Sequence, residues 1–194
     1  MGHTIEAIIF DCFGVLAVDG WLPFKQRYFG ADPELLEGVG ELNRQTDAGL
    51  LPYDAFVATI AKKAGIAPAE FRQAIEQTVV NEELLDYIAT ELKPKYKIGM
   101  LSNVAGRWLE QKFSAEHRQL FDGTVLSSQT GYIKPDPRAY QAILDQLAVE
   151  PAAAVFVDDR EGNCSGARDV GMQAICYQSL AQFKRGLTEV LAGH

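Results

Sequence analysis

Four places in the chain end a short apolar run with residues able to do chemistry. Asp11 closes the run in AIIFDCFGVL, and Ser102 with Asn103 follows KIGML. Lys134 stands in GYIKPDP, and Asp158 with Asp159 closes AAVFVDD. A carboxylate can act as a nucleophile, and a lysine can balance charge on it. A hydroxyl and a neighbouring N–H can hold anionic oxygens. Two adjacent acids at the end of an apolar strand are costly unless they share a cation, which reads as metal binding. Each residue alone has a plainer reading: Asp11 as a turn cap, Ser102 and Asn103 as a helix N-cap, Lys134 as a solvated charge. It is their common position, each at or just after the end of an apolar strand, that argues for one site.

The elements that must position them follow from the apolar pattern. Segments 97–102, 123–128, 153–159 and 172–177 are short, continuously apolar and bounded by turn residues, as parallel strands covered on both faces should be. The segment before Asp11 adds one more. Between them run helical stretches at roughly 105–119, 136–148, 161–170 and 179–191. This alternation predicts an α/β fold, a Rossmann-like, doubly wound parallel sheet, in which ligands bind beyond the carboxyl ends of the strands. On this reading Ser127 and Ser128 also end a strand. Residues 17–85 break the rhythm. They read as successive helices, with Pro33, Pro52 and Pro68 near first turns and Gly49 and Gly65 near two ends. The expected organisation is a core of 1–16 and 86–194 with a small helical insert at 17–85.

Composition narrows the classes. A net charge of −8 argues against non-specific nucleic-acid binding. No apolar run approaches the roughly 20 residues that span a bilayer, and the first residues lack a signal-peptide pattern. Cys12, Cys164 and Cys176 have no metal-ligand spacing, and an odd count predicts reduced thiols and a cytoplasmic setting. Cys12 and Cys164 read as packing residues, and the sequon at Asn163 carries almost no weight.

The order Asp, Ser-Asn, Lys, Asp-Asp resembles the haloacid dehalogenase-like hydrolase superfamily over nearly the whole chain. IIFDCFGVL is similar to its first motif, IGMLSNV to the second, GYIKPDPRAY to the third and VFVDDREGNCSGARDVGMQAI to the fourth. The insert falls where members with a helical cap carry it. The resemblance implies a phosphohydrolase of a small phosphorylated metabolite, a sugar phosphate above all. Asp11 is then the nucleophile of an aspartyl-phosphate, Ser102, Asn103 and Lys134 hold the phosphate, and Mg²⁺ binds at Asp11, the Phe13 carbonyl and Asp159, with Asp158 acting through water. Charge arithmetic agrees. Three carboxylates and a phosphate dianion gather about five negative charges, and each pair at ~4 Å costs roughly 4 kcal/mol at an effective dielectric near 20. Magnesium suits such an all-oxygen set.

Phe13 departs from the pattern, because most phosphatases of the family carry an aspartate there as general acid and base. Members resembling the glucose-1-phosphatase-like group also lack it. A proton donor would then come from the insert, with Glu41 and Asp47 as candidates, or from water. Phe13 also fits a metal-independent 2-haloacid dehalogenase, which attacks carbon, but the acid pair does not. A non-catalytic binding or regulatory protein is the third reading. Trp21, Phe24, Tyr28, Arg44 and Gln45 are candidate substrate contacts. The sequence carries no sign of oligomeric state.

Overall fold

The computed structural model describes residues 4–76, 79–104 and 112–193. Five parallel strands form one sheet in the order β3-β2-β1-β4-β5. They are β1 (Ala7–Phe10), β2 (Lys97–Ser102), β3 (Gly123–Leu126), β4 (Ala154–Asp158) and β5 (Gln173–Cys176). Strand β1, buried along its whole length, lies at the centre, and Phe10 pairs with Met100 on one side and Val157 on the other. This register sets Asp11, Ser102 and Asp158 at one edge of the sheet. Alternate residues of each strand feed opposite faces. Ile8 and Phe10 pack with Met100, Val157 and Phe183, whereas Ile9 packs with Leu101, Tyr140, Ile143 and Phe156.

Among the described residues the α-helices are α1 (Trp21–Phe29), α2 (Pro33–Asp47), α3 (Tyr53–Ala64), α4 (Pro68–Glu76), α5 (Glu82–Tyr87), α6 (Ala115–Gln119), α7 (Ser127–Thr130), α8 (Pro137–Leu147), α9 (Glu161–Asp169) and α10 (Leu180–Ala192). A π-helical turn, Ile88–Leu92, continues α5. Helix α8 shows why these stretches are helical. Pro137 opens it behind the Asp136 cap, and Ala139, Tyr140, Ile143, Leu144 and Leu147 fall at helical spacing on its buried face.

Two expectations are corrected here, and one lies outside the described residues. The run at 123–128 stops as a strand at Leu126, and Ser127 and Ser128 open α7. Serine hydroxyls favour turns and helix starts over a continued ladder. The segment read as insert up to 85 ends earlier. Leu84 and Leu85 are buried with Ile8 and Phe10 against the sheet. Their helical period was legible, but which body they face was not. Of the helix expected at 105–119, residues 105–111 lie outside the described residues, and 115–119 are helical.

Helices α1 to α4 bury a separate cluster that includes Phe24, Phe29, Val39, Phe56, Ile60 and Phe71. Aromatic edges meet faces within it, Phe24 and Phe71 having ring centroids 4.8 Å apart. The chain enters and leaves this cluster through adjacent backbones. Val18 N donates to Val79 O at 3.0 Å, and Asn81 N donates to Leu16 O at 2.9 Å.

Candidate active site

Asp11 follows directly from the central strand, its N–H donating to Val157 O at 2.8 Å. Its side chain has nowhere to go but the carboxyl edge of the sheet. There Lys134 Nζ meets it: the ammonium donates to Asp11 Oδ1 at 2.6 Å, to Leu101 O at 2.8 Å and to Asp158 Oδ2 at 2.8 Å. All three N–H groups of the lysine are used. Lys134 is 4% exposed, Asp11 6% and Asp158 0%. The lysine of GYIKPDP is therefore a buried structural charge rather than a solvated one. The Lys134–Pro135 peptide is cis.

Asp158 is saturated. Besides Lys134 it accepts from Arg160 N at 2.9 Å and from Asn163 Nδ2 at 3.0 Å on both oxygens. Asn163 is held in turn, its carbonyl accepting from the Tyr140 hydroxyl at 2.7 Å. The sequence reading missed this role of Asn163. Its only local sign was its position five residues after Asp158, one turn into α9.

Asp159 differs from its neighbour. Its Oδ1 is buried with no hydrogen-bond partner among the described residues, and the same holds for Ser102 Oγ. Gly14 makes room for it. A Cβ at Gly14, where φ is +88°, would lie 2.5 Å from the Asp159 carboxylate. Asn103 clasps the Lys134 loop from both sides: its Nδ2 donates to Lys134 O at 3.1 Å, and its Oδ1 accepts from Lys134 N at 2.8 Å.

The electrostatics show a deficit of positive charge. Burial pushes the Asp11 carboxyl up to about 7, Lys134 pulls against it, and Asp158 adds to the rise. Burial and then Asp158 raise Asp159 as well. Burial lowers the Lys134 ammonium, but Asp11 and Asp158 outweigh it and hold the group above its ordinary range. Carboxylate oxygens of Asp11, Asp158 and Asp159 lie within 4.8 Å of one another. An orphaned buried oxygen within an all-oxygen donor set fits a hard divalent cation.

These residues form one wall of a cavity of about 600 Å³. Asp11, Phe13, Asn103, Lys134 and Asp159 line the core side, and Trp21, Asn43, Asp47, Tyr53, Phe56 and Arg72 come from the helical insert. Of the substrate contacts expected from sequence, Trp21 lines the cavity. Phe24 is buried in the insert's own cluster with Tyr28 stacked on it at 4.4 Å. Arg44 and Gln45 bind Glu41 on the exposed face of α2. Tyr53, Arg72 and Asn43 were missed, because helical periodicity does not tell which face of an insert meets the core. Cys12 and Cys164 are buried free thiols.

A model of the haloacid dehalogenase-like hydrolase family matches residues 5–171. The chain belongs to this family. It is 32% identical to phosphatase MT3486 of Mycobacterium tuberculosis, over 97% of this chain and 94% of that protein. It is 32% identical to bifunctional epoxide hydrolase 2 of Rattus norvegicus over 128 residues, which are 62% of this chain and only 23% of that protein. Among solved structures it resembles the HAD family enzyme bt-2542 of Bacteroides thetaiotaomicron, with a TM-score of 0.74 at 23% identity, covering 95% of this chain and 99% of the other. That enzyme has also been crystallised with magnesium and inorganic phosphate.

Proposed function

We propose that the chain is a magnesium-dependent phosphohydrolase acting on a small phosphorylated metabolite, a sugar phosphate first among them, with the helical insert serving as its cap. One observation carries the reading: Asp11 and Asp158 share one lysine beside Asp159, at a corner where Ser102 Oγ and Asp159 Oδ1 have no hydrogen-bond partner among the described residues. Asp11, Asp159 and the Phe13 carbonyl would hold the magnesium, which when bound supplies two positive charges against the repulsion between nucleophile and phosphate dianion. The remaining work falls to the chain. Lys134, fixed by Leu101 and Asp158, keeps Asp11 aimed and ionised. Ser102 donates its hydroxyl to a phosphoryl oxygen. Asp158 positions Lys134 rather than touching substrate, since its own oxygens are fully engaged. Asp11 attacks phosphorus, and water then hydrolyses the aspartyl-phosphate.

The size of the cavity suits a small metabolite. Trp21 and Tyr53 put aromatic surface on the cavity wall, and Arg72, paired with Asp54 and stacked over Tyr53, adds a positive charge to it. Closure of the insert over the core would exclude water and select the substrate. A 2-haloacid is poorly matched, because the Asp11, Asp158 and Asp159 cluster would repel its carboxylate.

The test is a panel of phosphorylated metabolites assayed with magnesium or EDTA, run beside 2-haloacids. Phosphate release that needs the metal and falls on the order of 10⁴-fold or more in Asp11→Asn is expected. Halide release without metal, or phosphate release that survives Asp11→Asn, overturns the reading.

A further inference from the structure

Position 13 cannot move a proton, yet the cavity contains a carboxyl group that can. Asp47 is the last residue of α2 and lines the cavity with Asp11 and Phe13. Its placement against the core is fixed through its backbone. Ser127 Oγ donates to Asp47 O at 2.6 Å and accepts from Val104 N at 2.9 Å. One serine thus ties the end of α2 to the segment that carries Ser102 and Asn103. Gly49, with φ at +74°, lets the chain turn away against Ser128 O. The Asp47 carboxyl is held by Asn43, whose Nδ2 donates to its Oδ2 at 2.8 Å. No cation lies within ion-pairing distance of it among the described residues.

We propose that Asp47 is the proton donor and acceptor of the reaction, delivering from the insert the proton that position 13 cannot. The assignment rests on the phosphohydrolase reading. As an Asp11 oxygen bonds to phosphorus and the bond to the leaving oxygen breaks, the Asp47 carboxyl gives its proton to that oxygen and releases an alcohol. Water then bonds to phosphorus as the Asp11–phosphorus bond breaks, and the Asp47 carboxylate takes the water's proton. Phosphate leaves, and both acids return to their starting states.

The surroundings favour a protonated Asp47 at rest. Burial pushes its carboxyl up to about 8, against Arg160 and the Asn43 hydrogen bond, while Asp19 and Asp11 add to the rise. Its place at the carboxyl end of a 15-residue helix disfavours negative charge further. Glu41, the other acid singled out on this helix, is exposed, bonded to Arg44 and Gln45, and held below its ordinary range by those two bonds.

The test compares wild type, Asp47→Asn, Asp47→Glu and Glu41→Gln, each with magnesium. The substrates are an alkyl phosphate that the wild type turns over and p-nitrophenyl phosphate, whose phenoxide leaves without a proton. Asp47→Asn is expected to lose about 10²–10⁴-fold in kcat/KM on the alkyl ester and under about tenfold on the aryl ester. On the aryl ester it should give one burst of p-nitrophenol per enzyme and then slow turnover, as the aspartyl-phosphate waits for a base. Asp47→Glu should recover part of the loss, and Glu41→Gln should match wild type. If the amide is poorly tolerated, as read by melting temperature, Asp47→Ser gives the same split. An equal loss on both esters, or no loss, refutes the role of Asp47 while wild-type turnover stands. A wild type that releases no phosphate from any ester removes the phosphohydrolase reading itself.

Discussion

The lysine at position 134 illustrates how much one residue holds. Substituting Lys134→Met leaves Asp158 buried without its cation, and breaking such a pair costs about 3–5 kcal/mol. Urea denaturation without metal should show that loss. Asp47 has a different signature in stability. Its carboxyl ionises near 3.8 when unfolded and near about 8 when folded. Between those values the folded chain keeps a proton the unfolded chain has lost, so stability falls as pH rises through the window. Asp47→Asn removes that slope. Its urea midpoint, relative to wild type, should therefore rise from pH 4 to pH 8. That Asp11, Lys134, Asp158 and Asp159 meet at one corner was legible in sequence because each ends or follows an apolar strand. Asn163 was not, since its partner is specified by the fold and its residue type alone suggests a glycan site. The choice between Glu41 and Asp47 was equally hidden. Six positions apart on a helix, they face widely different directions, and only the packed neighbour tells which direction is the cavity.

Among the elements, the turn after β1 and the end of α2 carry the tightest constraints. Gly14→Ala drives a methyl into Asp159 and forces a strained backbone, so the variant should bind magnesium at least tenfold more weakly in calorimetry. Ser127→Ala removes the link between Asp47 O and Val104 N and leaves buried groups unpaired, a loss of about 1–3 kcal/mol. If the tie also aims α2, kcat should fall more than stability explains. The strands were legible because parallel strands covered on both faces read as unbroken apolar runs. The ending of β3 was misjudged because its last apolar residue passes into serines that suit either a strand end or a helix start. The expected boundary at 85 falls inside α5, for the reason already given: amphipathic period reports that a face is buried, not what buries it.

At the scale of the molecule, the sheet was predictable and the cavity was not. A cavity is a relation between two bodies, and residues such as Tyr53 and Arg72 acquire their place only when the insert is set against the core. Among the described residues no helix is long and apolar enough to cross a membrane. The chain crosses between its two bodies at a single doorway, where Val18 meets Val79 and Leu16 meets Asn81. Two ends that already lie side by side can be joined by a short turn without disturbing what lies behind them. A chain spliced from Val18 to Val79 is therefore expected to refold cooperatively, and a foreign helical module grafted at the same doorway is expected to change which esters are chosen while Asp11 and Lys134 keep their geometry.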